Sequence, residues 1–213
     1  MVENFNKTEN FDGLKQSETS TFDPDKRLGL KEKNPIDDSF SDIRNYGLEE
    51  ASKVTKEIFT PKLIKSEWKT FSETERQDIL ETYGARIAEV LGIDFKGVCF
   101  TSLCDSNDCW GCSEGRGQIC VTPAFLITPK YLIEAINTIA HEVRHEYQDQ
   151  ALKNPDEFSL DDKTKKEWSL AKETYTLAGA GELDPFGYEY NALELDARHF
   201  GEGIVNNLQR DMS

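Results

Sequence analysis

The sequence has little positive charge and no long apolar run. Its 213 residues include 40 acidic and 25 basic side chains, which give a formal net charge of −15. Such a surface repels phosphate groups and anionic lipid, so nucleic acid and membranes are not expected as partners. No stretch approaches the roughly 20 apolar residues that a membrane-spanning helix needs. The composition therefore favours a protein or peptide partner, and a basic one in particular.

The sequence also shows neither a secretion signal nor an even set of cysteines. The start, MVENFNKTENFDG, is acidic and polar, whereas a signal peptide is basic and then apolar. We therefore expect a cytoplasmic protein at synthesis, with signal-independent secretion as the remaining route out of the cell. The five cysteines are an odd number, and cytosolic thiols are kept reduced, so an obligatory disulfide framework is not expected.

The composition changes along the chain. Residues 1–45 are rich in Asn, Ser, Thr, Asp, Glu and Lys and show no sustained apolar period. Because such a segment buries too little surface to offset the entropy of ordering it, we expect a polar, mobile tail. The remaining length suits one domain, which we place at 46–213.

The apolar pattern of this domain predicts an α+β fold that is rich in helix. Helices are expected over 66–92, from Pro129 to Asn154, over 163–177 and from Asn191 onward. Thr128 is expected to cap the second of these helices, directly before its first-turn proline. Two β-prone pieces, GVCFTSL and GQICVTPAF, flank the Gly- and Cys-rich loop CDSNDCWGCSEGRG.

Two of the three histidines stand four residues apart on the Pro129 helix, in NTIAHEVRHEYQDQA. Around the axis of this helix, His141, Glu142 and His145 fall within an arc of about 100°. The opposite side carries an apolar stripe, which we expect to face the core. Two imidazoles one turn apart can bind one zinc ion, and Glu142 can then act as general base. Tyr188 or Tyr190 can stabilise an oxyanion, although such tyrosines are more often core or rim aromatics. The alternative is two solvated histidines on an exposed face.

HEVRH together with the later YNALELDARHFGE resembles the zincin metallopeptidases, on the gluzincin side, and the likeness runs from about Ser66 to Leu208. Bacterial and phage-associated members show a His-Glu-x-x-His-x-x-Gln helix before a Glu-x-Asp-Ala helix; Gln148 and the run from Glu194 to Ala197 fit that form. The resemblance implies a zincin-like metallopeptidase fold with a small twisted sheet beside the active-site helix, in which GRGQICV resembles the edge strand of the cleft. It also implies zinc-dependent peptide-bond hydrolysis, in a toxin, an effector or a protease that cleaves a regulator.

The resemblance makes Glu194 the third zinc ligand, beside His141 and His145. Asp196 is the alternative ligand. Side chains two residues apart on a helix point about 200° away from each other, so one ion cannot bind both carboxylates. A third interpretation is that Glu194 only closes a capping box with Asn191 at the start of its helix.

Further charged residues are candidates for orienting the ligands. Arg198 stands where thermolysin-like enzymes have an aspartate, four residues after the third ligand, and Asp196 is one replacement for that aspartate. Arg144 is expected near the rim of its helix, paired with Asp196 or with Glu146. His199 falls on a different helix face from Glu194 and is expected at the surface or behind the ligands.

The cysteines form a second candidate metal site, for a structural zinc ion. Four thiolates are the usual ligands of such a site, and the candidates are Cys104, Cys109, Cys112 and Cys120. Only Cys109 and Cys112 have the C-x2-C spacing, which is half of the usual pattern. Disulfides formed after secretion and unlinked thiols are therefore alternatives, and Cys120 also fits a small buried apolar position.

The sequence thus predicts a zinc metallopeptidase of the HExxH type that acts on a protein or peptide. The alternative function is a non-catalytic binding or regulatory module that keeps the metallopeptidase fold. The acidic surface, the polar tail and the arginine at position 198 motivate this alternative.

Overall fold

The computed structural model describes residues 43, 45–102, 110–113, 115–178 and 191–212, all within the unit Asp38–Ser213. Of the predicted tail, only Ile43 and Asn45 are among them, so the tail and its boundary stay predictions. No helix in the described ranges is long and apolar enough to cross a membrane.

The described elements are six α-helices and a small sheet. The helices are α1 (Leu48–Ile58), α2 (Glu73–Leu91), α3 (Ala124–Ile127), α4 (Leu132–Lys153), α5 (Asp162–Ala178) and α6 (Ala192–Arg210). The strands are β1 (Gly97–Phe100), β2 (Gly111–Ser113) and β3 (Gln118–Val121). The predicted α+β class with much helix and a small sheet is confirmed in this coarse form.

The helix predicted over 66–92 is split at Ser72. Leu63–Glu67 and Trp68–Thr70 form short π and 3-10 turns, and α2 begins only after Ser72. The Ser72 hydroxyl accepts the backbone N–H of Glu75 at 3.3 Å, and the Ser72 N–H donates to the Glu75 carboxylate at 2.7 Å. These reciprocal bonds form a capping box, whose signature, SETE, the sequence carries. Gly92 ends α2 as predicted, in the left-handed conformation with φ of 67°.

Helix α4 begins later than predicted but has the predicted core face. The Thr128 side chain makes no capping hydrogen bond, and Pro129–Tyr131 form a 3-10 turn before α4 starts. The helix ends at Lys153, just before Asn154 and a proline, as predicted. The stripe expected to face the core is buried throughout: Leu132, Ile136, Ile139, Val143 and Tyr147.

The sheet has the strand order β1-β3-β2, with β1 parallel and β2 antiparallel to β3. The segment GRGQICV was expected as an edge strand, but its strand β3 is central among the described strands. The strand beside it towards α4 is β2, in the loop that was predicted to be turn-rich. With three residues, two of them Gly and Cys, β2 is too short to show alternation and has little β propensity.

Gly201 sets how closely α4 and α6 approach each other. A Cβ atom at Gly201 would lie 2.9 Å from the backbone oxygen of Asn137 on α4, and closer still to its side chain. Three side chains of α6 are buried in the hydrophobic core, namely Phe200, Ile204 and Leu208, and Ala197 is buried on the same helix. The absence of a side chain at Gly201 therefore lets the two helices that carry the candidate site pack tightly.

We expect Gly201→Ala to lower the free energy of unfolding by about 1–3 kcal/mol, because the new methyl group must displace the α4 backbone. Gly203→Ala is the matched control. Its Cβ would lie 3.0 Å from a side-chain methyl of Leu48, which can move, and alanine gains about 1 kcal/mol of helix propensity. Urea denaturation of both variants measures the difference, and equal midpoints would contradict the role of Gly201.

Candidate metal centre

Helix α4 presents His141 and His145 between the sheet and α6. On one side, Gly111 of β2 lies against Glu142; on the other, Gly201 of α6 lies against α4. The two imidazole side chains are 19% and 18% exposed, so both are in partial contact with solvent. Glu142, between them in sequence, is 7% exposed. The α4 face that carries the two histidines is therefore partly exposed, and the Glu142 carboxylate is buried beside it.

Glu194, in the first turn of α6, completes a group of three ligand atoms. Its carboxylate oxygens lie 3.4 Å from His141 Nε2 and 3.3 Å from His145 Nε2, and the two Nε2 atoms are 3.0 Å apart. Tetrahedral zinc with bonds of about 2.0–2.2 Å holds its ligand atoms about 3.3–3.6 Å from each other. The three donors are thus close to the spacing that one zinc ion requires. Among the described residues, this is the group of three found to fit a metal ion.

The structure distinguishes the interpretations of Glu194 and Asp196. The Asn191 side chain caps α6 by accepting the N–H of Leu193 at 2.9 Å, and the Glu194 carboxylate faces the imidazoles. Asp196 is buried on another side of α6, where it accepts hydrogen bonds from Arg144. Glu194 therefore lies beside the two imidazoles, and Asp196 lies away from them.

Electrostatics favour an ionised Glu194. Burial opposes the charge, but hydrogen bonds from both imidazoles outweigh it and hold the pKa of Glu194 well below its usual range. Burial also opposes protonation of His145, but the hydrogen bond to Glu194 and the charge of Glu142 outweigh it and raise the pKa of His145 to about 9. A cation that binds here therefore meets an ionised carboxylate and displaces a proton from His145.

Gln148 orients His145, one turn along α4. Its Oε1 lies 2.8 Å from His145 Nδ1, while its Nε2 donates to Asp196 at 2.7 Å and to the Leu193 carbonyl at 2.9 Å. Since both of those partners are acceptors, the amide orientation is fixed and Oε1 must accept from Nδ1–H. When His145 gives up its other proton to bind a metal, the lone pair of the neutral imidazole is thus on Nε2, which faces Glu194. Asp196 was one candidate for the residue that orients an imidazole, and the structure connects it to His145 only through Gln148.

Arg144 is buried completely and not at the rim, which corrects the prediction. Of its two candidate partners it binds Asp196, with Nε 2.8 Å from Oδ2 and Nη2 3.1 Å from Oδ1. Its guanidinium lies between the rings of Tyr147 and Phe200, at 4.6 and 5.1 Å from their centroids. The two parallel hydrogen bonds from the planar Arg144 guanidinium hold the Asp196 carboxylate against Gln148.

We expect Gln148→Leu to weaken zinc binding about 10–100-fold, the range for partners that orient metal ligands. Without the amide, His145 loses the acceptor that keeps its lone pair on Nε2. Gln150→Leu is the matched control, because it removes two similar hydrogen bonds from the same helix, both to the backbone of Asp94. Competition with a chromophoric chelator measures both affinities. Equal weakening in both variants would assign the effect to α4 stability instead.

The Glu142 side chain is packed closely against Gly111 of β2. A Cβ atom at Gly111 would be 2.8 Å from Glu142 Cγ and 2.7 Å from Thr138 Cγ2, so only glycine fits there without a shift. Burial raises the pKa of Glu142, and the charges of the two histidines oppose that rise. The carboxylate is therefore beside the ligand group, and it is not part of that group.

Glu146 fastens the turn between β2 and β3 to α4. Its buried carboxylate accepts the Ser113 hydroxyl at 2.6 Å and the backbone N–H groups of Gly115 and Gly117 at 2.9 and 2.6 Å. No role was predicted for Glu146 beyond pairing with Arg144. Its position one turn after Glu142 was the available signal, because i, i+4 residues share a helix face.

Comparison with known proteins gives no match. No family model, no curated protein and no solved structure matches the chain.

The remaining predicted residues are placed only in part. Four of them lie outside the described residues: Tyr188, Tyr190, Cys104 and Cys109. Cys112 of β2 and Cys120 of β3 are register partners across the sheet, and neither is in a disulfide. The structural zinc site stays a prediction. His199 is exposed and lies 3.2 Å from Asn45 Oδ1.

Proposed function

We propose that this protein is a zinc-dependent metallopeptidase with a zincin-like fold. The observation that carries the proposal is the approach of His141 Nε2, His145 Nε2 and the Glu194 carboxylate to within 3.0–3.4 Å of each other. Two imidazoles and one carboxylate are the ligand set of catalytic zinc sites that keep a further position for water or substrate. The partial exposure of both imidazoles leaves that position accessible.

His141, His145 and Glu194 would hold the zinc ion. Zinc in such a site polarises a carbonyl group and makes water more acidic. Gln148 keeps the Nδ1 proton of His145 in place, so that Nε2 remains a donor of electrons to the metal. The described side chains thus supply a complete ligand set and a partner that fixes the tautomer of one imidazole.

Glu142 is the general base of the proposed reaction. Its carboxylate takes one proton from the water that attacks the peptide carbonyl carbon, and it then passes this proton to the departing amide nitrogen. The C–N bond breaks, one product gains a hydroxyl group and the other becomes an amine, so all atoms are accounted for. The close approach of Gly111 limits the movement of the Glu142 side chain, which favours a defined position for proton transfer.

The proposed substrate is a protein or peptide with a basic character. The net charge of −15 attracts cationic segments and speeds their encounter with the protein. The setting in a toxin, an effector or a protease that cleaves a regulator comes from the resemblance of the HEVRH and ELDA segments.

Peptide cleavage by the full chain tests the proposal. The zinc-loaded protein is incubated with a proteome-derived peptide library, and new termini are identified by mass spectrometry. We expect cleavage that a chelator stops and that added zinc restores, with basic residues enriched near the cleaved bonds. A zinc-loaded protein that cleaves nothing and binds one partner tightly would support the non-catalytic binding module in its place.

A further inference from the structure

Arg144 connects the metal centre to a part of the chain about 100 residues away in sequence. Besides its two bonds to Asp196, its Nη1 donates to the Tyr46 carbonyl at 3.1 Å and its Nη2 to the Ile43 carbonyl at 2.7 Å. The Tyr46 ring stacks on Tyr147 of α4, with centroids 5.4 Å apart and planes at 21°. The chain directly before α1 is therefore held on the same side of α4 as the residues that orient His145.

We propose that the backbone at Ile43 and Tyr46 is a positioning element of the zinc centre, which sets zinc affinity through Arg144. The inference rests on the zinc site proposed above, but it does not depend on peptide hydrolysis. A continuous series of hydrogen bonds leads from the two carbonyls through Arg144, Asp196 and Gln148 to His145 Nδ1.

The two carbonyls matter because Arg144 is fully buried and charged. A guanidinium has five N–H groups and no acceptor, and a buried charged donor without a partner is costly. Asp196 accepts from two of these five N–H groups, and the carbonyls of Ile43 and Tyr46 accept from two more. If this backbone segment moves away, Arg144 must turn towards water or another acceptor. Its two hydrogen bonds to Asp196 then weaken.

Weaker hydrogen bonds between Arg144 and Asp196 affect His145 through the side-chain amide of Gln148. Asp196 accepts from both Arg144 and Gln148 at the same oxygen, Oδ2, so a shift of Asp196 alters the bond that fixes the amide. A Gln148 side chain that rotates can present its NH2 group to His145 Nδ1. That orientation would favour the wrong tautomer, with the hydrogen on Nε2, and would oppose metal binding.

The test loosens the segment without touching the ligands, Gln148, Asp196 or Arg144. Tyr46→Ala removes the half-exposed ring that stacks on Tyr147, and Ile43→Ser added to it removes the neighbouring apolar anchor. In the full chain, we expect zinc affinity to fall about 10-fold in the double variant and less in Tyr46→Ala, within the range for orienting groups. In the zinc-loaded protein, the slowly exchanging Nδ1–H signal of His145 should broaden or disappear in nitrogen–proton NMR spectra.

The control is Ile127→Ser with Leu170→Ala, which removes two exposed apolar side chains elsewhere. It should leave both zinc affinity and the His145 signal unchanged. Unchanged affinity in variants whose amide hydrogen exchange shows a loosened segment would overturn the inference, while leaving the metallopeptidase proposal in place. Tyr46→Ala alone decides the matter if the double variant does not fold. A wild-type protein that binds zinc and cleaves no peptide contradicts only the metallopeptidase.

Discussion

Replacing Glu142 with glutamine is expected to leave zinc binding intact and to lower kcat/KM for peptide hydrolysis by about 10²–10⁴-fold, the usual contribution of general acid–base catalysis. Glutamine has nearly the same shape as glutamate, so it fits against Gly111, but its amide cannot accept a proton from water. The proposed ligands are His141, His145 and Glu194, so the change leaves every proposed donor atom in place. Cleavage assays and metal analysis on one protein preparation measure both quantities.

Glu157→Gln is the matched control, because Glu157 is exposed beyond the end of α4 and the change removes the same charge. Its kcat/KM should equal that of the wild type. Cleavage that survives in Glu142→Gln would remove Glu142 from its proposed role. A loss of zinc together with activity would instead place the Glu142 carboxylate among the ligands.

His141→Ala is expected to abolish the stabilisation of the protein by zinc. A ligand that binds only the folded state stabilises it by about 2.7 kcal/mol when its free concentration is 100 times Kd. Wild-type protein should gain this amount in urea denaturation with zinc added to that level. The variant should gain almost nothing, because two of three donors remain and the site opens to water. Metal analysis of protein purified without added zinc should show the ion in the wild type only.

His199→Ala serves as the control for this loss, since His199 is exposed, lies 3.2 Å from Asn45 and is not in the group of three proposed ligands. It should bind zinc as the wild type does. Full zinc retention in His141→Ala would exclude the histidine centre.

The paired change Cys109→Ser and Cys112→Ser separates the two predicted zinc sites. A drop from two bound ions to one in this variant locates the second ion at the cysteines.

The parts predicted correctly from the sequence depend on local spacing. The core face of α4 and the shared arc of His141, Glu142 and His145 follow from the turn of a helix alone. The end of α2 at Gly92 follows from the conformational freedom of glycine. The start of α2 could also have been predicted, because Ser72 and Glu75 have the spacing of a capping box. It was missed because apolar residues continue at helical spacing on both sides of Ser72.

The parts that were wrong or were not predicted depend on contacts between distant segments. A helical projection places Arg144 beside the ligands but cannot reveal that carbonyl groups from Ile43 and Tyr46 cover it. The role of Gln148 depends in the same way on α6, which supplies both acceptors for its amide. Strand β2 is too short for a periodic signal, and its pairing with β3 determines which strand is central.

Eight consecutive residues of α4, HEVRHEYQ, carry the side chains that face the sheet, α6 and the candidate metal site between them. Glu142 and Glu146 face the sheet, Arg144 and Gln148 face α6, and the two histidines lie between them. One inserted or deleted residue within HEVRHEYQ would rotate everything after it by about 100°, so that each side chain would meet the wrong neighbour. This stretch can therefore change in evolution by substitution, whereas its length is fixed by the three surfaces that it joins.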